Sequence, residues 1–343
     1  MHMRMLPTKP ANSPLRTVLA LILGLLLLAG LALLAVFIYN RVMTAAASTN
    51  PVVPVFSPDG SQLAISVGER TEIYDANQYT VRLSLDSAAG GTEAGLAFSP
   101  DGRLLQVNRT AWDAATGVLR YTLDSSDAYR VAYSPDGRQL AIFAYDGLYL
   151  WDAASGEHQA RLPTASGCAC QTALAFSGPG EIVSAAIDGV KTWRVADGQQ
   201  LAAWKREGFS NALVLSGEGR VLAASENNVV DLWDVASGQK IRDFENSPGS
   251  VNLLAFSADG RLLAGDSDGK SAVVWEVETG KRLHTFDLPA RVAGLAFTPD
   301  GLRLAVGAYD GQVRLYNLTE GVLTHTINDF TDWPALIKSA LTP

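Results

Sequence analysis

Cysteine is nearly missing from this chain: its 343 residues include two, Cys168 and Cys170. Two thiols one residue apart cannot staple a large fold, so a disulfide framework is excluded. Histidine is scarce as well, with four residues. There is no His-Glu-x-x-His pair, no Gly-x-Ser-x-Gly elbow and no full-length calcium loop, so the familiar signatures of hydrolysis and calcium binding are absent. No catalytic, cofactor-binding or metal-ligating residues are assigned, and the chain is not expected to be an enzyme. Charged side chains make up only 18%, and acidic residues outnumber basic ones, 35 to 27. Residues 1–47 hold four basic and no acidic side chains, which leaves −12 on the remainder. An acidic surface repels phosphate backbones, so no nucleic-acid partner is expected.

What the amino-terminal part has instead is an apolar run. Residues 18–38 carry no charge and are mostly Leu and Ala. As a helix they would span about 32 Å, the thickness of a bilayer core. Arg4, Lys9 and Arg16 precede the run, and after Arg41 no charge follows until Asp59. Basic flanks stay on the cytoplasmic side. The expectation is therefore a cytoplasmic tail (1–17), a transmembrane signal anchor (18–38), a linker (39–51) and an extracytoplasmic remainder. The run exceeds the roughly 7–15 apolar residues of a signal peptide, which favours an uncleaved anchor. Cleavage at Ala45-Ala46-Ala47 is the alternative, and both export the rest of the chain.

After residue 51 the chain repeats itself. Phe56-Ser-Pro-Asp-Gly returns, with variations, at Phe98, Tyr133, Phe176, Leu215, Phe256 and Phe297, at intervals of 42, 35, 43, 39, 41 and 41 residues. A second aromatic follows each anchor by 14 to 19 residues: Tyr74, Trp112, Trp151, Trp193, Trp233, Trp275 and Tyr316. Five residues beyond six of these stands a glycine; in the first copy Tyr79 takes that place. Each copy reads as four short strands with turn residues between them. In the sixth copy they fall at 250–256, 261–265, 271–277 and 281–287. A four-stranded meander cannot bury both faces alone, whereas seven set radially can. The predicted fold is all-β: a seven-bladed propeller of four-stranded antiparallel blades over 52–328, preceded by one transmembrane helix. The anchors and second aromatics form its inter-blade core.

The forty-residue period with Trp112-Asp113, Trp151-Asp152 and Trp233-Asp234 resembles the WD-repeat (tryptophan–aspartate) propeller family, over 52–328. The resemblance implies a structural Asp in the turn between second and third strands, matched by Asp146, Asp188, Asp268 and Asp310. The family's Gly-His dipeptide is missing from every copy, which implies an incomplete hydrogen-bond network around those Asp residues. Val322 and the residues after it already give the last blade a fourth strand, so each blade is complete from its own copy. What latches blade seven to blade one is open; packing by the tail (329–343), with Trp333, is one hypothesis.

The remaining motifs read plainly. Residues 264–271 loosely fit a phosphate loop, but a strand follows where a helix is required, so a hairpin turn is expected. For Cys168 and Cys170 a local disulfide is the first expectation, unpaired thiols the second, a redox or metal role the last. Two glycosylation sequons begin at Asn108 and Asn317. One face of the ring carries connections of varied composition at 86–93, 124–127, 163–171, 205–210, 245–250 and 287–291. Variable loops on a rigid scaffold are where specificity usually sits. The family resemblance implies a scaffold for an unidentified protein partner on that face, tethered through 18–38. The alternative is an enzyme or ligand-binding sensor using the central channel. It would need ionisable side chains pointing inward from first strands that are dominated by Ala, Leu, Val and Gly.

Overall fold

In the computed structural model the Ser-Pro-Asp-Gly segment after a first strand is a self-closing turn. The Ser57 hydroxyl donates to Asp59 Oδ1 at 2.6 Å and accepts the Gln62 N–H at 2.9 Å. Gly60 bonds back to the Ser57 carbonyl and sits at φ 71°, where a side chain is disfavoured. Ser99, Ser134, Ser257 and Thr298 repeat the same bonds to Asp101, Asp136, Asp259 and Asp300. The turn after each third strand uses the residue that follows its aromatic. Asp75 Oδ1 accepts the N–H groups of Asn77 and Gln78, Asp152 those of Ala154 and Ser155, and Asn317 does likewise in the last blade. The Asp of each Trp-Asp pair is thus a turn cap. Asp113 also takes the Arg120 guanidinium, which holds its carboxyl at about 2.

The structure describes residues 51–68, 70–86, 95–125, 128–144, 147–162, 173–178, 180–186, 188–205 and 210–328. The chain divides into two units, 1–47 and 48–343. The tail, apolar run and linker expected before residue 51, the terminal segment 329–343, Cys168, Cys170 and Asp146 lie outside the described residues. Among the described residues no helix is long and apolar enough to cross a membrane.

The described residues form seven four-stranded antiparallel sheets, each from four consecutive strands. Within a blade the first strand is innermost and the fourth is an edge. Blade six consists of Leu254–Phe256, Leu262–Ser267, Ser271–Glu276 and Arg282–Asp287. Its first strand was expected to begin at 250. It begins at Leu254 because the Asp266 carboxylate, not a strand neighbour, takes the N–H groups of Asn252 and Leu253. All seven fourth strands slip register where they pass the second aromatic, for instance between Ile73 and Tyr74 and between Val274 and Trp275. An edge with a bulge is a poor template for another chain, so the slip protects seven exposed edges at once.

Seven hydrophobic clusters lie one to each seam between neighbouring blades. Ala64, Ile73 and Leu85 of blade one meet Phe98, Leu105 and Val107 of blade two. Val274 and Phe286 of blade six meet Leu304 and Tyr316 of blade seven. The last seam closes the ring without an exchanged strand: Val52, Phe56, Ile65 and Tyr74 of blade one pack on Ala305, Val313, Leu315 and Ile327 of blade seven. Gly307 makes the approach possible, because a Cβ there would collide with the Val52 carbonyl oxygen. Across the same seam Arg303 donates to the Tyr79 hydroxyl at 2.7 Å.

Candidate functional site

The first strands surround a central channel with a cavity of about 250 Å³. The residues lining it are mostly small or aliphatic, among them Val53, Leu174, Leu213 and Leu253. The position three residues before each anchor shows the pattern: Val53, Gly95, Arg130, Ala173, Ala212, Leu253 and Gly294. Arg130 is the charged side chain on the described cavity wall. The sequence reading passed over Arg130 because the first strands were judged by composition. Aligning them on their anchors isolates it.

Opposite in the ring, Asn252 and Leu253 reach the wall because Asp266 holds them. The buried Asp266 carboxylate accepts the Asn252 N–H at 2.6 Å and the Leu253 N–H at 2.7 Å. Burial pushes its carboxyl up, against the effect of those bonds and of the Arg291 charge. The other turn carboxylates on this face have separate partners. Asp188 pairs with Lys191 at 2.5 Å. Asp268, at φ 47°, exchanges two bonds with Ser250 and so ties the 245–250 connection to its own turn. Asp310 takes both terminal nitrogens of Arg314, at 3.2 and 2.6 Å. These three partners stand where the resemblance left a histidine network incomplete.

The anchors Phe56, Phe98, Phe176, Leu215 and Phe297 are buried, and Tyr133 and Phe256 are half-buried. Of the second aromatics Tyr74, Trp151, Trp193, Trp275 and Tyr316 are buried, while Trp112 and Trp233 are half-buried. Their polar atoms find different acceptors: Trp193 donates to Ser184 Oγ, Trp275 to the Glu245 carbonyl, and the Tyr74 hydroxyl to Glu72. The three described histidines lie against aromatic rings, His158 on Trp151, His284 on Phe286 and His325 on Tyr79. Among the described residues no group of three or more His, Cys, Asp or Glu is placed to hold a metal ion. Residues 264–271 are the expected hairpin, joining two paired strands. Asn108 is buried and its Oδ1 accepts the Gly95 N–H, so no glycan reaches it in this conformation. On the loop face, 245–250 and 287–291 are described in full; the other four connections lie wholly or partly outside the described residues.

Residues 238–276 and 280–317 match the family described as "WD domain, G-beta repeat". The chain is 28% identical over 229 residues to Periodic tryptophan protein 2 of Arabidopsis thaliana, covering 64% of this chain and 25% of that protein. It is 26% identical over 295 residues to Telomerase protein component 1 of Rattus norvegicus, covering 78% of this chain and 11% of that one. Apoptotic protease-activating factor 1 of Rattus norvegicus is 33% identical over 109 residues, 32% of this chain and 9% of the relative. The chain therefore spans at most a quarter of the length of these three.

Proposed function

We infer that this chain, a β-propeller of the WD-repeat type, works as a non-catalytic scaffold that holds a protein partner on its loop face, at the channel mouth. The observation that carries the reading is the channel itself. A ring of first strands presents a cavity lined mostly by small and aliphatic residues with one described guanidinium, Arg130, and the described histidines are occupied as packing groups. Such a mouth can seat an inserted side chain and has no described pair of groups to move a proton. Two relatives are by name a component of telomerase and an activating factor of a protease. Those names describe proteins that act together with other proteins, which agrees with scaffolding.

The scaffold is tethered through residues 18–38, with the amino terminus cytoplasmic and the propeller extracytoplasmic. Support comes from the uncharged run of bilayer length and its basic flanks. Protease added to intact cells tests the topology: a propeller digested only after lysis overturns export in a one-membrane cell. Purification of the full chain from a detergent extract tests the scaffold. A stoichiometric protein that is lost with Arg130→Ala supports it. A tightly held small molecule or metal without a protein partner favours the second reading, a ligand site in the channel, which the cavity lined by Arg130 recommends.

A further inference from the structure

Seven equivalent blades act as controls for one another. Where the backbone is the same and the side chain departs, the fold does not require the departure. In each blade one residue of the fourth strand lies opposite the second aromatic. Blades three to six place polar residues there, His158, Gln200, Lys240 and Arg282. Blades seven, one and two, which are consecutive around the ring, place Leu323, Val81 and Leu119. The preceding residue is also apolar in two of them, Val322 and Val118. These five and Leu302 are between 44% and 55% exposed. In blades four to six an exposed apolar residue stands one place later, Leu201, Ile241 or Leu283, next to polar neighbours. Blades seven, one and two are consecutive neighbours, and the turn of each blade leans on the fourth strand before it. Gly117 lies against Leu83 and Leu85, and Tyr79 against His325.

Charge departs at the same place. In blades two, three, five and six an Arg follows the first-turn acid by two residues, 3.2 to 4.0 Å away. Blades seven and one have Leu302 and Ser61 there, and among the described residues neither Asp300 nor Asp59 has an ion-pair partner. The nearby Arg303 is bonded to Tyr79, although its charge still lowers the Asp300 carboxyl. The two turns touch, Gly60 against Pro299. An apolar strip and two carboxylates without cations therefore share the turn face, opposite the channel mouth.

We propose that this strip is a second docking surface, and that its occupant is a segment of a partner protein in which aliphatic side chains alternate with Lys or Arg. The aliphatic groups cover Leu323, Val81 and Leu302, and the cations meet Asp300 and Asp59. Residues 48–343 carry −12, which steers a basic segment inward and opposes a second copy.

The probe is a fluorescent twelve-residue peptide of alternating Leu and Lys, titrated against the full chain in detergent with anisotropy as readout. Leu302→Arg with Leu323→Lys restores residues that sibling blades carry, so the melting temperature should hold. Affinity is expected to fall about tenfold or more, while Leu283→Lys, equally exposed on blade six, leaves it unchanged. Equal losses in both variants overturn the proposal, as does equal affinity for a Ser-Lys peptide. A wild-type dimer that the double variant splits assigns the strip to a second copy and overturns it too.

Discussion

The ring of Tyr79 lies on that of His325, centroids 4.2 Å apart and planes 20° from parallel, across the seam that closes the propeller. Tyr79 holds the position that is glycine in the other six blades, and it adopts the glycine's conformation at φ 55°. A bulky residue there costs about 1–2 kcal/mol. The stack and the bond from Arg303 offset that cost. Tyr79→Gly removes strain and contacts together and should change stability by no more than about 1 kcal/mol. Tyr79→Ala removes the contacts and keeps the strain, and should cost about 2–3 kcal/mol. Denaturant unfolding distinguishes them; equal losses would mean that Tyr79 is unstrained.

Asp266 bears on the cavity through its backbone partners. Asp266→Ala leaves the part-buried Asn252 and Leu253 N–H groups without their acceptor and should cost about 1–3 kcal/mol. Asp266→Asn keeps an acceptor and sheds the buried charge. Because the folded carboxyl is pushed above its ordinary value, the folded protein holds that proton more tightly than the unfolded chain. Its ionised form therefore costs stability near neutrality, and the cost fades as the pH falls through the raised folded value. As the pH falls from neutrality toward the ordinary carboxylate range, about pH 4, wild type should gain on Asp266→Asn. Parallel stability curves for the two proteins over that window would contradict the assignment.

Blade count and strand order were legible because the anchors, second aromatics and turn glycines recur in register, and the second strands read as apolar runs buried on both faces. Arg130 was equally visible at its anchor-minus-three position but was lost in an average over composition. Asp266 was not legible, since a turn-rich string gives no sign that a carboxylate will replace strand pairing. The seven bulges leave no mark in residue type either, because polar and apolar residues alike occupy them, Arg82 and Leu201 among them. The closing seam was open in the sequence, and apolar packing with Gly307 and Tyr79 across it, rather than an exchanged strand, turns out to close it.

Trp275 is fully buried in the seam between blades five and six, where its Nε1 donates to the Glu245 carbonyl at 2.8 Å. Trp275→Ala removes a large side chain from a close-packed cluster and should cost about 3–5 kcal/mol. Trp275→Phe keeps most of the volume and loses the bond, and should cost less. Trp112→Ala, at a half-buried site, should also cost less than Trp275→Ala. Thermal melts of the three variants rank them, and a Trp112 variant as damaged as the Trp275 one would refute burial as the deciding quantity.

If packing alone closes the ring, one added methyl group can loosen one seam and leave six intact. Gly307→Ala places a Cβ against the Val52 carbonyl oxygen, so the first strand of blade one (Val52–Phe56) must shift or the seam must open. Overpacking of this kind costs about 1–3 kcal/mol. Gly301→Ala is the comparison: it sits at φ 69° with nothing within 4 Å of its Cβ, so it meets only the local backbone penalty of about 1 kcal/mol. Amide exchange followed by mass spectrometry should show Gly307→Ala speeding exchange in Val52–Phe56 and its neighbour Val292–Phe297, with the seam between blades three and four unchanged. Gly301→Ala should speed neither. Uniform acceleration around the ring in Gly307→Ala would mean that the seams open together, and that closure is a property of the whole propeller rather than of the contact between Gly307 and Val52.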